Sequence, residues 1–275
     1  MSFVISFLCC LVPSLALFFW VRSLQKDKPG YTAGCKSALI NGFISVGPVL
    51  GMGLVFAIVG SLLGFTDRST VTGAIYRCFA IFALTEELSK FLLFRHTLKK
   101  TTCDVSWFDA AVFMTLVGVG FGIFENIFYA FEMGLGQSII RGLAIAHGGY
   151  GFIMGYFFAK AAKTGKKGYY LVAFLLPYIM HGLYDLSLSS VFADNDLFIF
   201  LALALAVADY VIIIIAIVFF ARRKRNEKYT SSLGLKMAAD AELMGEGTAE
   251  SGVAAGAERV AEAPAVEFSS PDSSR

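Results

Sequence analysis

The sequence predicts an all-α polytopic membrane bundle of about seven transmembrane helices, with the N-terminus outside and the C-terminus cytosolic. Three observations carry that prediction. Of 275 residues, 57% are hydrophobic and 16% charged, against roughly 25% charged in ordinary soluble chains, which excludes a soluble globular enzyme. The apolar residues are gathered into runs too long for core strands. Finally, Lys and Arg crowd into alternate connections between those runs.

Seven runs can be marked: 2 to 21, 37 to 65, 71 to 94, 108 to 131, 139 to 160, 169 to 190 and 196 to 221. At about 1.5 Å per residue, each crosses a hydrocarbon core of about 30 Å as a helix. The first is expected to be retained rather than cleaved as a signal peptide. It lacks a basic leading region, and Phe19 and Trp20 stand where small cleavage-site residues belong. The second is glycine-rich (Gly42, Gly47, Gly51, Gly53, Gly60, Gly64) and holds Pro48, which predicts close packing and a kink. The loops after spans one, three, five and seven hold sixteen cations, from Arg22 to Lys228, whereas the alternate loops hold only Arg68 and Arg141. The positive-inside rule then sets the orientation.

Residues 1 to 229 form the predicted membrane domain. Residues 230 to 275, rich in Ala, Gly, Ser, Glu and Pro, are expected to be a disordered cytosolic tail. The net charge of +2 combines basic loops with an acidic tail, so nucleic acid is not an expected partner and anionic lipid explains the basic loops. Five cysteines, Cys9, Cys10, Cys35, Cys78 and Cys103, show no metal-type spacing. Cys35 and Cys103 are expected in cytosolic loops as reduced thiols open to palmitoylation.

Chemistry is sought among the polar residues that a membrane should exclude, since a charge near the bilayer centre costs about 2.5 to 3.5 kcal/mol on insertion scales. Span three carries Arg77, Glu86, Glu87 and Lys90; span four Glu125 and Tyr129; span five Arg141 and His147; span six His181, Tyr184 and Asp185; span seven Asp209. Residues three or four apart share a helix face. Lys90 is therefore placed to neutralise one of Glu86 and Glu87 and leave the other free, while Glu125 pairs with Tyr129 and His181 with Asp185. Of three histidines, His96 lies in a basic loop and His147 and His181 lie mid-span.

Two imidazoles with two or three carboxylates and no thiolate make an N/O ligand set suited to Zn²⁺, with a spare carboxylate to activate metal-bound water. Each feature also has an ordinary reading. A buried histidine in a bundle is more often a hydrogen-bonded structural residue, and Glu87 with Lys90 alone is an ordinary intrahelical ion pair. Asp209 and Arg77 read as packing or cavity-facing polar groups. The balance is shifted by four adjacent helices that carry such groups at similar depth.

The ordered set Glu86-Glu87-x-x-Lys90, Phe124-Glu125-Asn126-x-x-Tyr129, Arg141 with His147 and Gly151, and His181-Gly-Leu-Tyr184-Asp185 resembles the successive motifs of the PrsW intramembrane proteases. That family is grouped with the CAAX prenyl endopeptidases and the anterior-pharynx-defective subunit of γ-secretase. The resemblance covers residues 71 to 190. It implies an intramembrane metalloendopeptidase of the plasma membrane or an endomembrane, acting on membrane-protein substrates. By the same resemblance, Glu86 or Glu87 falls on the catalytic glutamate, and Glu125, His147 and His181 on other functional positions. Asp185 stands where many superfamily members carry Asn. The expected site is then Glu86 and Glu87 as catalytic groups, His147, His181, Glu125 and Asp185 as metal ligands, and Lys90, Tyr129, Arg141 and Tyr184 in support. A non-catalytic scaffold subunit and a proton-coupled transporter remain the alternative classes, as does assembly into a homo- or hetero-oligomer. A seven-helix receptor lacks its sequence marks here, with no Asp-Arg-Tyr after span three and no Asn-Pro-x-x-Tyr in span seven.

Overall fold

The structure, a computed structural model, describes residues 2–132 and 145–226. Among these residues all regular structure is helical. In chain order it comprises α1 (Ser2–Ser23), α2 (Tyr31–Ile44), α3 (Val46–Leu62), α4 (Val71–Ile75), a π-helical segment (Tyr76–Ala83), α5 (Leu84–Lys100), α6 (Trp107–Glu132), α7 (Ala146–Thr164), α8 (Gly168–Ser187), a 3₁₀ turn (Ser190–Phe192) and α9 (Asp196–Asn226). The predicted tail and Arg141 lie outside the described residues.

Among the described residues, four helical stretches are long and apolar enough to cross a membrane: Val4–Ser23, Tyr31–Leu62, Trp107–Ile127 and Asp196–Arg222. The remaining long helices, α5, α7 and α8, carry Glu86, Glu87, Lys90, His147, His181 and Asp185, and those polar groups lower their apolarity. The second stretch starts at Tyr31, earlier than residue 37, so Cys35 lies inside α2 and is fully buried, as is Cys103 in the α5–α6 connection. Neither is the accessible loop thiol the sequence suggested. Where a kink was expected, the helix is interrupted at Ser45, between α2 and α3. Pro48 has no N–H to give to the carbonyl of Ile44, and its ring crowds that carbonyl; the Ser45 hydroxyl instead donates to the Gly42 carbonyl at 2.6 Å.

The centre of the bundle is α6. Its spanning window is 78% buried, against 17% for α9 and for α2–α3, so α6 is wrapped by protein while the others keep a wide apolar face outward. It packs on α1, α2, α5 and α7. Burial of Phe113, Met114 and Leu116 does not by itself drive this assembly in a bilayer, because lipid tails are as apolar as leucine; close backbone contact does. Gly118 makes the point: a Cβ there would strike the backbone carbonyl of His147. The α6–α7 seam therefore sets the position of His147 directly.

Two local devices orient the helix that carries the glutamates. The π-helical segment precedes Leu84 and shifts the angular register of everything after it, as such segments do near functional sites. The Thr85 hydroxyl donates back to the carbonyls of Ile81 at 2.6 Å and Phe82 at 3.1 Å, which satisfies groups that the wider turn leaves loose. The same segment packs on α8, where Gly182 lets the Phe79 ring approach so closely that a Cβ would come within 2.5 Å of it. That contact sits beside His181.

The entry of α6 is pinned as well. Ser106 and Asp109 form a capping box in which the Ser106 N–H donates to Asp109 Oδ2 at 2.7 Å and the Asp109 N–H donates to Ser106 Oγ at 3.2 Å. Asp109 also accepts from Gln25 Nε2 at 3.1 Å and forms a buried ion pair with Lys28.

Candidate active site

Four helices bring their polar groups to one place, as the spacing predicted. Lys90 Nζ lies 2.6 Å from Glu87 Oε1, 3.7 Å from Glu86 Oε2 and 3.1 Å from His147 Nδ1. It also sits 4.4 Å from the centroid of the Phe121 ring, a cation–π contact on α6. Glu87 Oε1 accepts both from Lys90 and, at 2.8 Å, from His181 Nδ1. His147 Nε2 lies 2.6 Å from Glu125 Oε2. His181 Nε2 lies 3.4 Å from Asp185 Oδ2 and 3.8 Å from Glu86 Oε2. The two imidazole centroids are 5.6 Å apart.

The two glutamates differ in their surroundings. The Glu87 side chain is wholly buried and committed to Lys90 and His181, whereas that of Glu86 is 13% exposed and lines a cavity. Lys90 thus neutralises mainly one of the pair.

Glu86, Glu87, His147 and His181 each offer one ligand atom, and those atoms lie within 4.8 Å of one another. Glu86 Oε2 and Glu87 Oε2 are buried with no hydrogen-bond partner. Two imidazoles and two carboxylate oxygens lacking donors fit a divalent metal with N/O preference. Glu125 and Asp185, expected as ligands, stand beside the imidazole Nε2 atoms of His147 and His181, outside that convergent group. At His147, with Glu125 at 2.6 Å, this is where a carboxylate orients an imidazole.

Two cavities of about 440 and 420 Å³ meet at this cluster and share Glu125, Tyr129, His181, Asp185 and Leu188. Tyr184 lines the second. Arg68 and Arg77 line the first and Asp209 the second.

Sequence reasoning missed Tyr150 and Phe121. The Tyr150 ring stacks on His181 with centroids 5.7 Å apart and planes at 24°, and its hydroxyl donates to Asp209 Oδ2 at 3.2 Å. Asp209 thereby gains the partner its isolation in the sequence concealed. The signals were helical spacings: Tyr150 is three residues after His147, and Phe121 four before Glu125. Tyr150→Phe keeps the stacking ring and leaves buried Asp209 without that donor, at a cost of about 1–3 kcal/mol. A lowered melting temperature in detergent is the expected result, and an unchanged one would show that water replaces the hydroxyl.

A buried acid–imidazole cluster that opens on two cavities, in a bundle with helices able to cross a bilayer, supplies the groups that a membrane-embedded hydrolase uses. The comparisons narrow the class. The model of a family described as PrsW family intramembrane metalloprotease matches residues 37–230, and the chain belongs to that family. The match extends beyond residues 71 to 190 to take in α3 and α9. The chain is 27% identical over 193 residues to Protease PrsW of Clostridioides difficile strain 630, an alignment covering 65% of this chain and 77% of that protein. It is 26% identical over 184 residues to Protease PrsW of Oceanobacillus iheyensis, covering 65% and 81%, and 34% identical over 142 residues to that of Geobacillus kaustophilus, covering 50% and 63%. No solved structure matches the chain.

Proposed function

We propose that this chain is an intramembrane endopeptidase that hydrolyses peptide bonds of membrane-associated proteins at the Glu86, Glu87, His147 and His181 cluster. The observation that carries the reading is the division of labour between the glutamates. Glu87 is held by Lys90 and His181, while Glu86 faces the first cavity with an oxygen that lacks a hydrogen-bond donor. Glu86 is therefore the carboxylate that takes a proton from the attacking water and returns it to the leaving amine. His147 and His181, with Glu87, would hold a divalent metal, Zn²⁺ by the chemistry of the donor set. Such an ion, when bound, supplies Lewis acidity that brings the pKa of water towards about 7 and polarises the scissile carbonyl. Glu125 accepts from the Nε2–H of His147 and Glu87 from the Nδ1–H of His181; His181 keeps Nε2 for a ligand, whereas a metal at His147 Nδ1 would take the place of the 3.1 Å Lys90 contact. Lys90 over Phe121 fixes that geometry from behind. A substrate helix unwinds locally to enter, because an intact helix shields its carbonyls.

In this reading the bundle spans the bilayer seven times with its N-terminus outside, α5, α7 and α8 crossing despite their polar groups because those face one another. Residues 1 to 229 are the membrane domain, and residues 230 to 275 a cytosolic tail. The test is cleavage of a single-span protein by the purified chain in liposomes, together with metal analysis of wild type, His147→Ala and His181→Ala. Chelator-sensitive cleavage, with metal present in the wild type and lost from both variants, is the expected result. Equal metal content in all three, or proton flux without cleavage, would overturn the reading.

A further inference from the structure

The first cavity reaches from the reacting cluster to two arginines, and the second does not. Glu86, His181 and Asp185 form one wall of the first cavity, and Arg68 and Arg77 also line it. Arg77 comes from the π-helical segment and is half-buried, with its guanidinium 5.1 Å from the centroid of the Phe82 ring. Arg68 comes from the exposed α3–α4 connection. Among the described residues, neither guanidinium has an ion-pair or hydrogen-bond partner. The adjacent acid, Asp67, is engaged elsewhere: it accepts from the Ser69 N–H at 2.9 Å and the Ser69 hydroxyl at 2.6 Å. In the sequence these two are also conspicuous, because Arg68 is one of only two cations on its side of the predicted topology and Arg77 lies within a span.

Among the described residues, the second cavity is lined by no Lys or Arg. Asp209 lines it and is 3% exposed, and its Oδ1 has no hydrogen-bond partner. Glu125 and Asp185 line both cavities and Glu86 the first; a substrate carboxylate entering the second would meet Asp209 with no cation to offset it, whereas the first offers two unpaired guanidinium groups, whose planar donors suit a carboxylate.

Because the two cavities meet at His181 and Asp185, a polypeptide lying across the cluster places one side of its scissile bond in each. We infer that the first cavity is a subsite for an acidic side chain of the substrate polypeptide, bound by Arg68 and Arg77 on one side of the cut only. The inference rests on the endopeptidase reading above. A protein carboxylate is favoured over a lipid headgroup because the arginines line the same cavity as the carboxylate that would take the proton.

The experiment uses the full chain in detergent with a library of synthetic single-span peptides, randomised at the residues flanking the cut and read by mass spectrometry. Within each protein, peptides with neutral flanks are the reference, so the readout is a ratio. Wild type is expected to favour Asp or Glu on one side of the cut by about fivefold, the factor a partly exposed ion pair supplies. That preference falls in Arg68→Gln and Arg77→Gln. It turns to Lys or Arg in the double variant Arg68→Glu, Arg77→Glu, a reversal that no folding defect produces. Wild-type cleavage with no acidic preference, or a preference that survives both neutral variants, would sink the subsite. So would a preference that is absent while activity depends on anionic lipid and on the arginines, which would make this a headgroup site. Absence of any wild-type cleavage would remove the endopeptidase reading itself, and the subsite with it.

Discussion

Glu86→Gln is expected to lower the turnover of a cleaved membrane substrate by about 10²–10⁴-fold, the usual contribution of a positioned general base, while leaving the bundle folded. Glu87→Gln is expected to lose activity and fold together. The difference follows from Lys90, whose ammonium is 2.6 Å from Glu87 and 3.7 Å from Glu86, with both Lys90 and Glu87 buried. Removing the Glu86 charge leaves Lys90 its main partner. Removing the Glu87 charge leaves a buried ammonium with only its longer 3.7 Å contact to Glu86, and breaking a buried pair from one side costs about 3–5 kcal/mol. Turnover and melting temperature measured on both variants check this. Equal melting of the two variants would show that Lys90 does not distinguish the glutamates, and full turnover in Glu86→Gln would remove it as the base.

Asp109→Ala is expected to destabilise the bundle by about 3–5 kcal/mol without touching the reacting groups. Its carboxylate joins Lys28, Gln25 Nε2 and the Ser106 N–H, so the change removes one half of the capping box and leaves Lys28 buried and unpaired at once. The companion Lys28→Met, Asp109→Leu removes both charges and should recover much of the loss, since replacing a buried pair by apolar groups is often neutral. Thermal melts in detergent give the answer. A single variant that melts like wild type would show that the pair carries no stability.

Neither effect was equally readable in the sequence. The site was legible because a membrane penalises charge, so Glu86, Glu87, Lys90, Glu125, His147, His181 and Asp185 had to be explained, and helical spacing put them on shared faces. The Lys28–Asp109 pair was not singled out, because Lys28 reads as one more loop cation and Asp109 sits at a helix start where acids are ordinary. Ser106-x-x-Asp109 was the available signal, a capping-box spacing ahead of an apolar run. The burial of Cys35 and Cys103 was likewise hidden. Cys35 is next to Lys36 and Cys103 follows Lys99 and Lys100 by a few residues, and only the early start of α2 and the packing of the α5–α6 connection enclose them.

By itself, the sequence determined that the chain is helical and apolar enough for a membrane, and which few polar residues make up the candidate site. Composition, run length and spacing are local quantities, and they suffice for that. Tertiary structure alone decided how those residues divide: Glu87 held by Lys90 and His181, Glu86 turned to a cavity, and Tyr150 on α7 joined to Asp209 on α9. It also decided that Arg68 and Arg77 line one cavity and Asp209 the other. These are contacts between helices, set by how closely Gly118 and Gly182 let neighbours approach and by the register shift of the π-helical segment. Neither can be summed from residues considered one helix at a time.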